Sequence, residues 1–390
     1  MDKWKSIFSF SLPTKIIFGS GCVKNLYVQL EELGVNRPLI VTGHNNTSNI
    51  VRERIAKALP SEIDYILFDG ADVNPKDKNV LTGANVYRAS EADSLIAVGG
   101  GSPIDCAKAI GVLVANEADD IRIFENKNTA SKPIPPLICI PTTSGSGSEL
   151  TFSSVITNTK ENYKMTIRNN YTVAKTALCD PELTLGMPDS LTAFTGLDAL
   201  THAIEAFTAT CAEPISDAAA LYAIELIYQS LLPAYNDGNN LLERSKMMIG
   251  SMLAGIAFSH SDVASVHCIS EALGGMYDLP HGICNAILLP YVMEYNMDFC
   301  INQYARIARA MGYNSSDEKE CAKIAISAVR NLTYDLNLPA FSSLQIEPAD
   351  YQIIAQRSAK NGSNKSNPRP MKEKDYFNVL EMAFKNHSAL

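Results

Sequence analysis

Four side chains in the second half of the chain have the types and spacing of a metal site. Asp198 and His202 lie four residues apart in a segment whose apolar residues recur at three- and four-residue steps, which predicts a helix. Because residues i and i+4 share a helix face, this carboxylate and this imidazole can point at one ion. His267 and His281 follow, and oxygen with imidazole nitrogen suits Fe(II) or Zn(II). The alternative is a helix cap with histidines scattered in a core.

Length and composition indicate an ordinary globular protein with two domains. The chain has 390 residues, of which 46% are hydrophobic and 19% are charged. Its formal net charge of −9 argues against a nucleic acid or an anionic membrane as partner. No apolar run approaches the roughly 20 residues that span a bilayer, and the first residues lack a signal-peptide core. The nine cysteines include no CxxC pair, as in reduced cytosolic enzymes, so we expect a cytoplasmic protein.

The first half of the chain alternates strand-like and helix-like segments, whereas the second half has mainly helical periodicity. Alternation of this kind predicts an α/β domain with a parallel, Rossmann-like sheet, and the second half predicts an all-α domain. We place the boundary so that the domains are 1–185 and 186–390. The polar run 361–370 predicts a loop, either ordered or mobile. The strand patterns lie at 37–42, 64–68, 94–98 and 136–140.

Two loops rich in glycine and small hydroxyls follow neighbouring predicted strands. In the first, 99–101, glycines let backbone amides approach a pyrophosphate, and the helix that follows favours negative charge at its N-terminus. Capping is the alternative, with Ser102 as N-cap, Pro103 at the first helical position and Asp105 in a capping box. The second loop, 141–149, has the alternative of a flexible surface loop. Two such loops at the carboxyl ends of strands favour a dinucleotide.

The order and spacing of these motifs resemble those of the iron-containing (group III) alcohol dehydrogenase family. The resemblance extends over nearly the whole chain, from Phe10 to Pro370. No single motif carries it alone, but their order does. The motifs are FSLPTKIIFGSG (10–21), FDGADVNP (68–75), GGGSPID (99–105), PTTSGSGSE (141–149), MP (187–188), GLDALTHAIE (196–205), His267, PHG (280–282) and NPRP (367–370).

The resemblance implies a function for each domain and a set of site residues. It implies that 1–185 is an NAD(P)-binding α/β domain and that 186–390 is a helical metal-binding and substrate domain. The implied metal ligands are Asp198, His202, His267 and His281. The implied cofactor contacts are Gly99, Gly100, Gly101, Ser102, Asp105, Thr142, Thr143 and Lys164, the last with the alternative of an ordinary surface lysine. The implied cofactors are Fe(2+), with Zn(2+) second, and NADP or NAD, and we expect a homodimer or larger homo-oligomer.

Two positions depart from the common pattern of this family. Many members carry a second histidine four residues after the third ligand, where this chain has Glu271. Glu271 could orient the imidazole of His267, relay a proton, or be a solvated helix charge. NAD-preferring members often have an aspartate facing the adenosine ribose where this chain has Gly43, so we predict that NADP(H) is accepted at least as well as NAD(H). His44 and Asn45 could then donate hydrogen bonds to the 2′-phosphate.

The sequence therefore predicts a metal-dependent alcohol dehydrogenase or aldehyde reductase that transfers hydride between NAD(P)(H) and a small alcohol or aldehyde. In this hypothesis the metal polarises the substrate oxygen and the nicotinamide does the hydride chemistry. One alternative is a polyol dehydrogenase of the glycerol type or a dehydroquinate-synthase-like lyase of the same architecture, which usually have three protein metal ligands. Another is a non-catalytic binding protein that retains the fold.

Overall fold

The chain divides into two compact units. One unit is Ser11–Met187, and the other is Pro188–Leu390 with Met1–Phe10. Phe10 was expected in the first domain but belongs to the helical unit, where its ring stacks on that of His260 with 4.1 Å between centroids. The computed structural model describes residues 7–44, 46–125 and 129–386.

Eight strands and four α-helices form the first unit, together with short 3-10 turns. The strands are β1 (Lys15–Phe18), β2 (Pro38–Val41), β3 (Ile66–Phe68), β4 (Ser94–Gly99), β5 (Leu137–Pro141), β6 (Ser153–Asn158), β7 (Tyr163–Arg168) and β8 (Thr176–Cys179). The helices are α1 (Leu26–Leu33), α2 (Asn46–Ala58), α3 (Asp77–Ala89) and α4 (Gly101–Ala115). The 3-10 turns are Cys22–Asn25, Ile121–Phe124, Ser148–Leu150 and Pro181–Thr184.

Six of these strands form one parallel sheet in the order β1-β8-β5-β4-β2-β3. The predicted parallel α/β sheet is confirmed, and the four predicted strands are β2 to β5. The chain runs outward from β2 to β3 and then crosses back to pair β4 on the other side of β2, so that Val41 pairs with Phe68 and with Ala97. Apart from β1, which is added at one edge, this strand order is that of flavodoxin-type sheets, whose ligands bind at the carboxyl ends of the two strands between which the order reverses. Here those strands are β2 and β4.

The sequence patterns missed the other four strands. β1 and β8 pair in parallel at one side of the sheet and have only four residues each. β6 and β7 form a separate antiparallel pair, in which Ser153 lies opposite Arg168 and Asn158 lies opposite Tyr163. This hairpin packs beside α4, and its Met165 and Ile167 belong to the buried apolar cluster on that side of the sheet.

The second unit is helical, as predicted. Its centre is α5, whose residues from 196 to 208 are all buried. Gly196 is required there, because a Cβ at this position would lie 2.2 Å from the side chain of Leu231 on the neighbouring helix. Among the described residues no helix is long and apolar enough to cross a membrane. The helices are α5 (Asp189–Thr208), α6 (Pro214–Asn236), α7 (Leu241–Ser261), α8 (Ser265–Tyr277), α9 (His281–Asn296), α10 (Ile301–Ala310), α11 (Glu318–Asp335), α12 (Tyr351–Lys360) and α13 (Glu373–Asn386).

The polar run 361–370 is an ordered loop rather than a mobile one. It contains a short 3-10 turn, Gly362–Ser366. Asn367 and Asn296 exchange two hydrogen bonds between their buried carboxamides, at 3.0 and 2.9 Å. These bonds fasten the loop to the end of α9, the helix that begins at His281.

Candidate metal centre and glycine loops

Three of the four predicted ligands converge in the helical unit. Asp198 lies in the middle of α5, His267 in the first turn of α8, and His281 at the first position of α9. Each offers one ligand atom, and these atoms all lie within 4.8 Å of one another. The first two side chains are buried and the third is partly exposed. One divalent ion could be held by this group.

His202, the fourth predicted ligand, lies beside this group. Its Nδ1 is 4.0 Å from Oδ2 of Asp198, one turn earlier on α5. Its ring centroid is 4.6 Å from that of His267 and 4.4 Å from that of Phe258, on which it stacks. The i, i+4 argument from the sequence therefore placed His202 next to Asp198, although its nitrogens are not among the three atoms that converge most closely.

Asn285 on α9, which the sequence analysis did not select, contacts all three converging residues. Its Nδ2 lies 2.7 Å from Oδ1 of Asp198, 3.0 Å from Nε2 of His267 and 3.1 Å from Nε2 of His281. With neutral imidazoles these three atoms are acceptors, and a carboxamide has only two hydrogens for them. Its own Oδ1 is buried and has no hydrogen-bond partner among the described residues. Three acceptors around one NH2 group, which has a hydrogen for only two of them, fit a cation better than an amide.

A second residue missed by the sequence analysis, Glu205, holds His267 from behind. One oxygen of this buried carboxylate lies 2.6 Å from Nδ1 of His267. The carboxylate also accepts from the backbone nitrogens of Ala264 at 2.8 Å and Val266 at 2.7 Å, at the start of α8. Because Glu205 accepts the Nδ1 proton, the lone pair of His267 is on Nε2, which faces the other ligand atoms.

The charges around His267 favour its protonated form in the protein alone. Burial by itself lowers the pKa of His267, but the hydrogen bond and charge of Glu205 raise the pKa above its ordinary value. Asp198 and Glu271 add to this increase through their charges. A divalent cation is the other kind of positive charge that this acidic environment can stabilise.

Glu271 does not orient His267, which corrects one of the three roles considered for it. It lies one turn further along α8, but its Oε2 accepts a hydrogen bond from Nδ2 of Asn361 at 2.6 Å. Both nitrogens of His267 are in contact with other side chains, Nδ1 with Glu205 and Nε2 with Asn285. Glu271 is partly buried, so it is not a simple solvated helix charge either.

In the first unit, the triple glycine begins α4 earlier than capping predicts. Gly100 is the N-cap and Gly101 is the first helical residue, so Ser102, Pro103 and Asp105 all lie inside the helix. The capping assignment of these three residues was therefore wrong. Gly99 has a φ of 144°, which L side chains rarely adopt, and this turn starts the helix directly after β4.

The two glycine loops touch each other. A Cβ at Gly100 would lie 3.1 Å from Oγ1 of Thr143, and one at Gly101 would lie 2.8 Å from Oγ of Ser146. The backbone nitrogen of Thr142 donates to the carbonyl of Gly99 at 3.0 Å. A side chain at either glycine would therefore crowd the side chains of the second loop.

Asp105 and Lys164 are both held by neighbouring protein groups. Asp105 accepts from Oγ of Ser148 with one carboxylate oxygen, and from the backbone nitrogen of Val155 at 3.0 Å with the other. Its carboxylate is thus directed toward the protein rather than toward a ligand. Lys164 on β7 is partly buried and donates to Oδ1 of Asn74 at 2.8 Å, so it is not an ordinary surface lysine.

Gly43 follows β2, at the point where the strand order reverses. A Cβ there would lie 3.2 Å from the carbonyl oxygen of Ala71, a close contact. The side chain of His44 is exposed, and its Nδ1 lies 3.6 Å from Oδ2 of Asp69, which follows β3. Asn45 lies outside the described residues.

Comparison with known proteins identifies the class to which this fold and these residues belong. The family described as iron-containing alcohol dehydrogenase matches residues 13–181, and its C-terminal counterpart, the Fe-containing alcohol dehydrogenase family, matches residues 192–384. The solved structure of a 1,3-propanediol oxidoreductase superimposes with a TM-score of 0.92 at 35% identity, covering 97% of this chain and 100% of that one.

Named relatives agree with this assignment. The 1,3-propanediol dehydrogenase of Citrobacter freundii is 37% identical over 97% of this chain and 99% of its own length. The lactaldehyde reductase of Escherichia coli (strain K12) is 34% identical over 94% and 97%, and the choline dehydrogenase of Bacillus subtilis (strain 168) is 34% identical over 98% and 97%. The chain belongs to the iron-containing alcohol dehydrogenase family. It is a metal-dependent alcohol dehydrogenase or aldehyde reductase that uses a nicotinamide cofactor, as the sequence predicted.

Proposed function

We propose that this enzyme interconverts a small alcohol and its aldehyde at one Fe(2+) ion held by Asp198, His202, His267 and His281. The observation that carries the proposal is the convergence of three acceptor atoms on the single amide nitrogen of Asn285. The set contains one carboxylate and three imidazoles, which suits iron first and zinc second.

The protein's own groups have distinct roles in this proposal. Asp198 supplies the one negative charge of the ligand set, and Glu205 holds His267 so that the lone pair of Nε2 faces the ion. When bound, the ion supplies a Lewis acid for the substrate oxygen, and the nicotinamide supplies or accepts the hydride. Glu271 is retained as a site residue that acts through its charge on His267, or as a proton relay together with Asn361.

The cofactor is proposed to bind at the carboxyl ends of β2 and β4. The first glycine loop follows β4 at this reversal of strand order and the second follows the neighbouring strand β5, and backbone amides of such loops can approach phosphates. Of the residues implied by the resemblance, Gly43, Lys164 and those of the two loops remain the proposed contacts. Asp105 supports the loops instead, because its carboxylate is bound to protein groups. The backbone at Gly43 carries no carboxylate, so we propose that NADP(H) is accepted at least as well as NAD(H).

The substrate is proposed to be a small alcohol or aldehyde, in keeping with the names of the relatives. We also propose a cytoplasmic homodimer or larger homo-oligomer. All nine cysteines are thiols without a disulfide and eight of them are buried, which supports a reducing compartment.

The metal assignment is tested by replacing His267. His267→Ala should lose most of the bound iron and reduce kcat/KM by roughly 100-fold or more, because one ligand is removed and the buried carboxylate of Glu205 loses its imidazole partner. Iron content after anaerobic loading, measured by mass spectrometry, and oxidation of NADPH with an aldehyde panel are the two readouts. A lyase would give no net oxidation of the reduced cofactor.

The control for this experiment is another histidine of the helical unit. His260 lies on α7, with Nδ1 2.9 Å from the carbonyl of Ile256 and its ring stacked on Phe10, and it is outside the ligand group. His260→Ala should keep its iron. If His267→Ala also keeps full iron occupancy, His267 is not a ligand and the proposed set is wrong.

A further inference from the structure

Lys108 is a completely buried lysine beneath the two glycine loops, and the proposed reaction does not use it. It lies on α4, about two turns after the triple glycine. Its Nζ donates to three backbone carbonyls, those of Ser148 at 2.6 Å, Thr151 at 2.8 Å and Ser153 at 2.9 Å, and it lies 3.0 Å from Oγ1 of Thr151. All of these acceptors belong to the segment 148–153, which begins within the last two residues of the second glycine loop. One ammonium group therefore fastens that segment to the helix that begins at the first loop.

Asp105 attaches the same segment to the same helix at a second point, nearly one turn earlier. Its carboxylate accepts from Oγ of Ser148 and from the backbone nitrogen of Val155, and its carbonyl oxygen accepts from Oγ of Ser154 at 2.7 Å. Ser148 is thus bound by both residues, since Lys108 takes its carbonyl and Asp105 its hydroxyl. The opposite charges of the two residues also reduce the cost of burying each of them.

The two glycine loops contact each other at the start of α4, about two turns before Lys108. The close contacts of Gly100 with Thr143 and of Gly101 with Ser146 leave no space for a side chain between the loops. The distance between the two loops then depends on the groups that attach the second loop to α4, which are Lys108 and Asp105. Backbone amides bind phosphate oxygens well only at hydrogen-bond distance, so a small change in this spacing would weaken several contacts at once.

A lysine is an expensive way to fill a core position, because an uncompensated buried ammonium is strongly destabilising. An apolar residue of similar length would fill the space, but it could not donate hydrogen bonds to the three carbonyls that converge there. The arrangement therefore fixes a backbone conformation rather than supplying apolar contact.

We propose that Lys108 is a positioning residue for the dinucleotide, which fixes the 148–153 segment against α4 and thereby sets the spacing of the two glycine loops. This inference rests on the proposed cofactor site. Lys108 does not touch the cofactor in this proposal. It acts through the loop backbone.

The test is dinucleotide binding to Lys108→Met, which keeps the length of the side chain and removes its charge and donors. Fluorescence titration with NADPH and NADH should give a Kd at least ~10-fold above that of the parent. The KM for the cofactor should rise in parallel, with a smaller change in kcat, and the iron content should stay at the parental level because the metal ligands lie in the other unit.

The matched control weakens the same sheet at the amino ends of its strands, opposite the carboxyl ends where the glycine loops lie. Asp93 accepts from the backbone nitrogens of Asn36 at 2.7 Å and Arg37 at 3.1 Å, at the amino ends of β2 and β4. Asp93→Ala should lower Tm and leave the Kd for NADPH unchanged. The proposal is overturned if folded Lys108→Met binds NADPH with parental Kd, or if Asp93→Ala loses as much affinity for the same loss of Tm.

A milder variant covers the case in which Lys108→Met does not fold. Thr151→Val is nearly isosteric and removes only the hydroxyl that lies 3.0 Å from Nζ, so the Kd should rise several-fold, and a parental Kd would refute the proposal. A parent protein that binds neither NADPH nor NADH would refute the proposed cofactor site itself, and this inference with it.

Discussion

The two candidate sites of this enzyme are built from different parts of the chain. The metal site consists of side chains on three helices that converge on one point, and its geometry depends on a buried carboxylate, Glu205, that is not itself a candidate ligand. The glycine loops offer backbone amides instead, and their geometry depends on a buried lysine beneath them. In both sites a buried charge orders the groups that are expected to meet the ligand. The difference is that metal binding should be lost when a ligand side chain is replaced. Dinucleotide binding at the loops should instead be weakened mainly by replacing residues that hold the loop backbone, such as Lys108.

Among residues that are not proposed ligands, the largest effect is expected at Glu205, the carboxylate that contacts His267. Glu205→Gln should weaken iron binding by ~10–100-fold, because an amide cannot accept from Nδ1 and from two backbone nitrogens at once. Glu271→Gln should weaken it much less and should instead shift the pH–rate profile, since Glu271 is proposed to influence His267 through its charge or to relay a proton. Iron titrations of both variants, with kcat/KM measured across pH, separate the two roles. A larger loss of iron affinity in Glu271→Gln would reverse this assignment.

A smaller effect is expected at Gly43. Gly43→Asp should shift the preference toward NAD(H) by ~10-fold, because its carboxylate would repel the 2′-phosphate of NADP. Any side chain here crowds the carbonyl of Ala71, 3.2 Å from the Cβ position, so Gly43→Asn is the control that has the same shape without the charge. The ratio of kcat/KM for the two cofactors is measured in all three proteins. A parent that strongly prefers NAD(H), or an equal shift in both variants, would contradict a charge effect at this position.

A last prediction concerns folding stability rather than ligand binding, and it involves Glu149, a buried carboxyl at the end of the second glycine loop. Burial raises the pKa of Glu149 from 4.5 to about 7. The unfolded chain therefore releases this proton near pH 4.5 and the folded protein only near pH 7, so folding stability falls as pH rises through this range, by roughly 1.4 kcal/mol per pH unit for this group. Glu149→Gln lacks the titrating group. It should gain stability over the parent at pH 8 compared with pH 5, as measured by urea unfolding at both values. A difference between the two proteins that does not change with pH would contradict the raised pKa.

The parts of the molecule that the sequence predicted are those with a local signal. β2, β4 and β5 were found because strands buried on both faces of a parallel sheet are almost continuously apolar, and the edge strand β3 was found because its residues are also apolar. Asp198 and His202 were found because a helix repeats every 3.6 residues. The alternation of apolar and polar residues in β7 was an available strand signal that was not used, whereas β1, β6 and β8 have only two or three adjacent apolar residues each beside charged or polar ones.

What the sequence did not predict depends on contacts between distant residues. Glu205 lies one turn after His202 on the same face of α5, which was an available signal, but its partner His267 is 62 residues further along the chain. Asn285 lies four residues after His281, yet only the folded arrangement brings its amide to three acceptors at once. The early start of α4 followed from the conformation of Gly99, which no capping pattern encodes.

The paired carboxamides of Asn296 and Asn367 join the loop 361–370, near the end of the chain, to α9 of the helical unit. A chain that stopped at residue 360 would leave the amide of Asn296 buried without its partner, at a cost of about 1–3 kcal/mol. It would also remove Asn361 from Glu271. The residues after 360 are therefore part of the helical unit and not a dispensable tail. Removing them should loosen α9, the helix that begins at His281 and ends at Asn296.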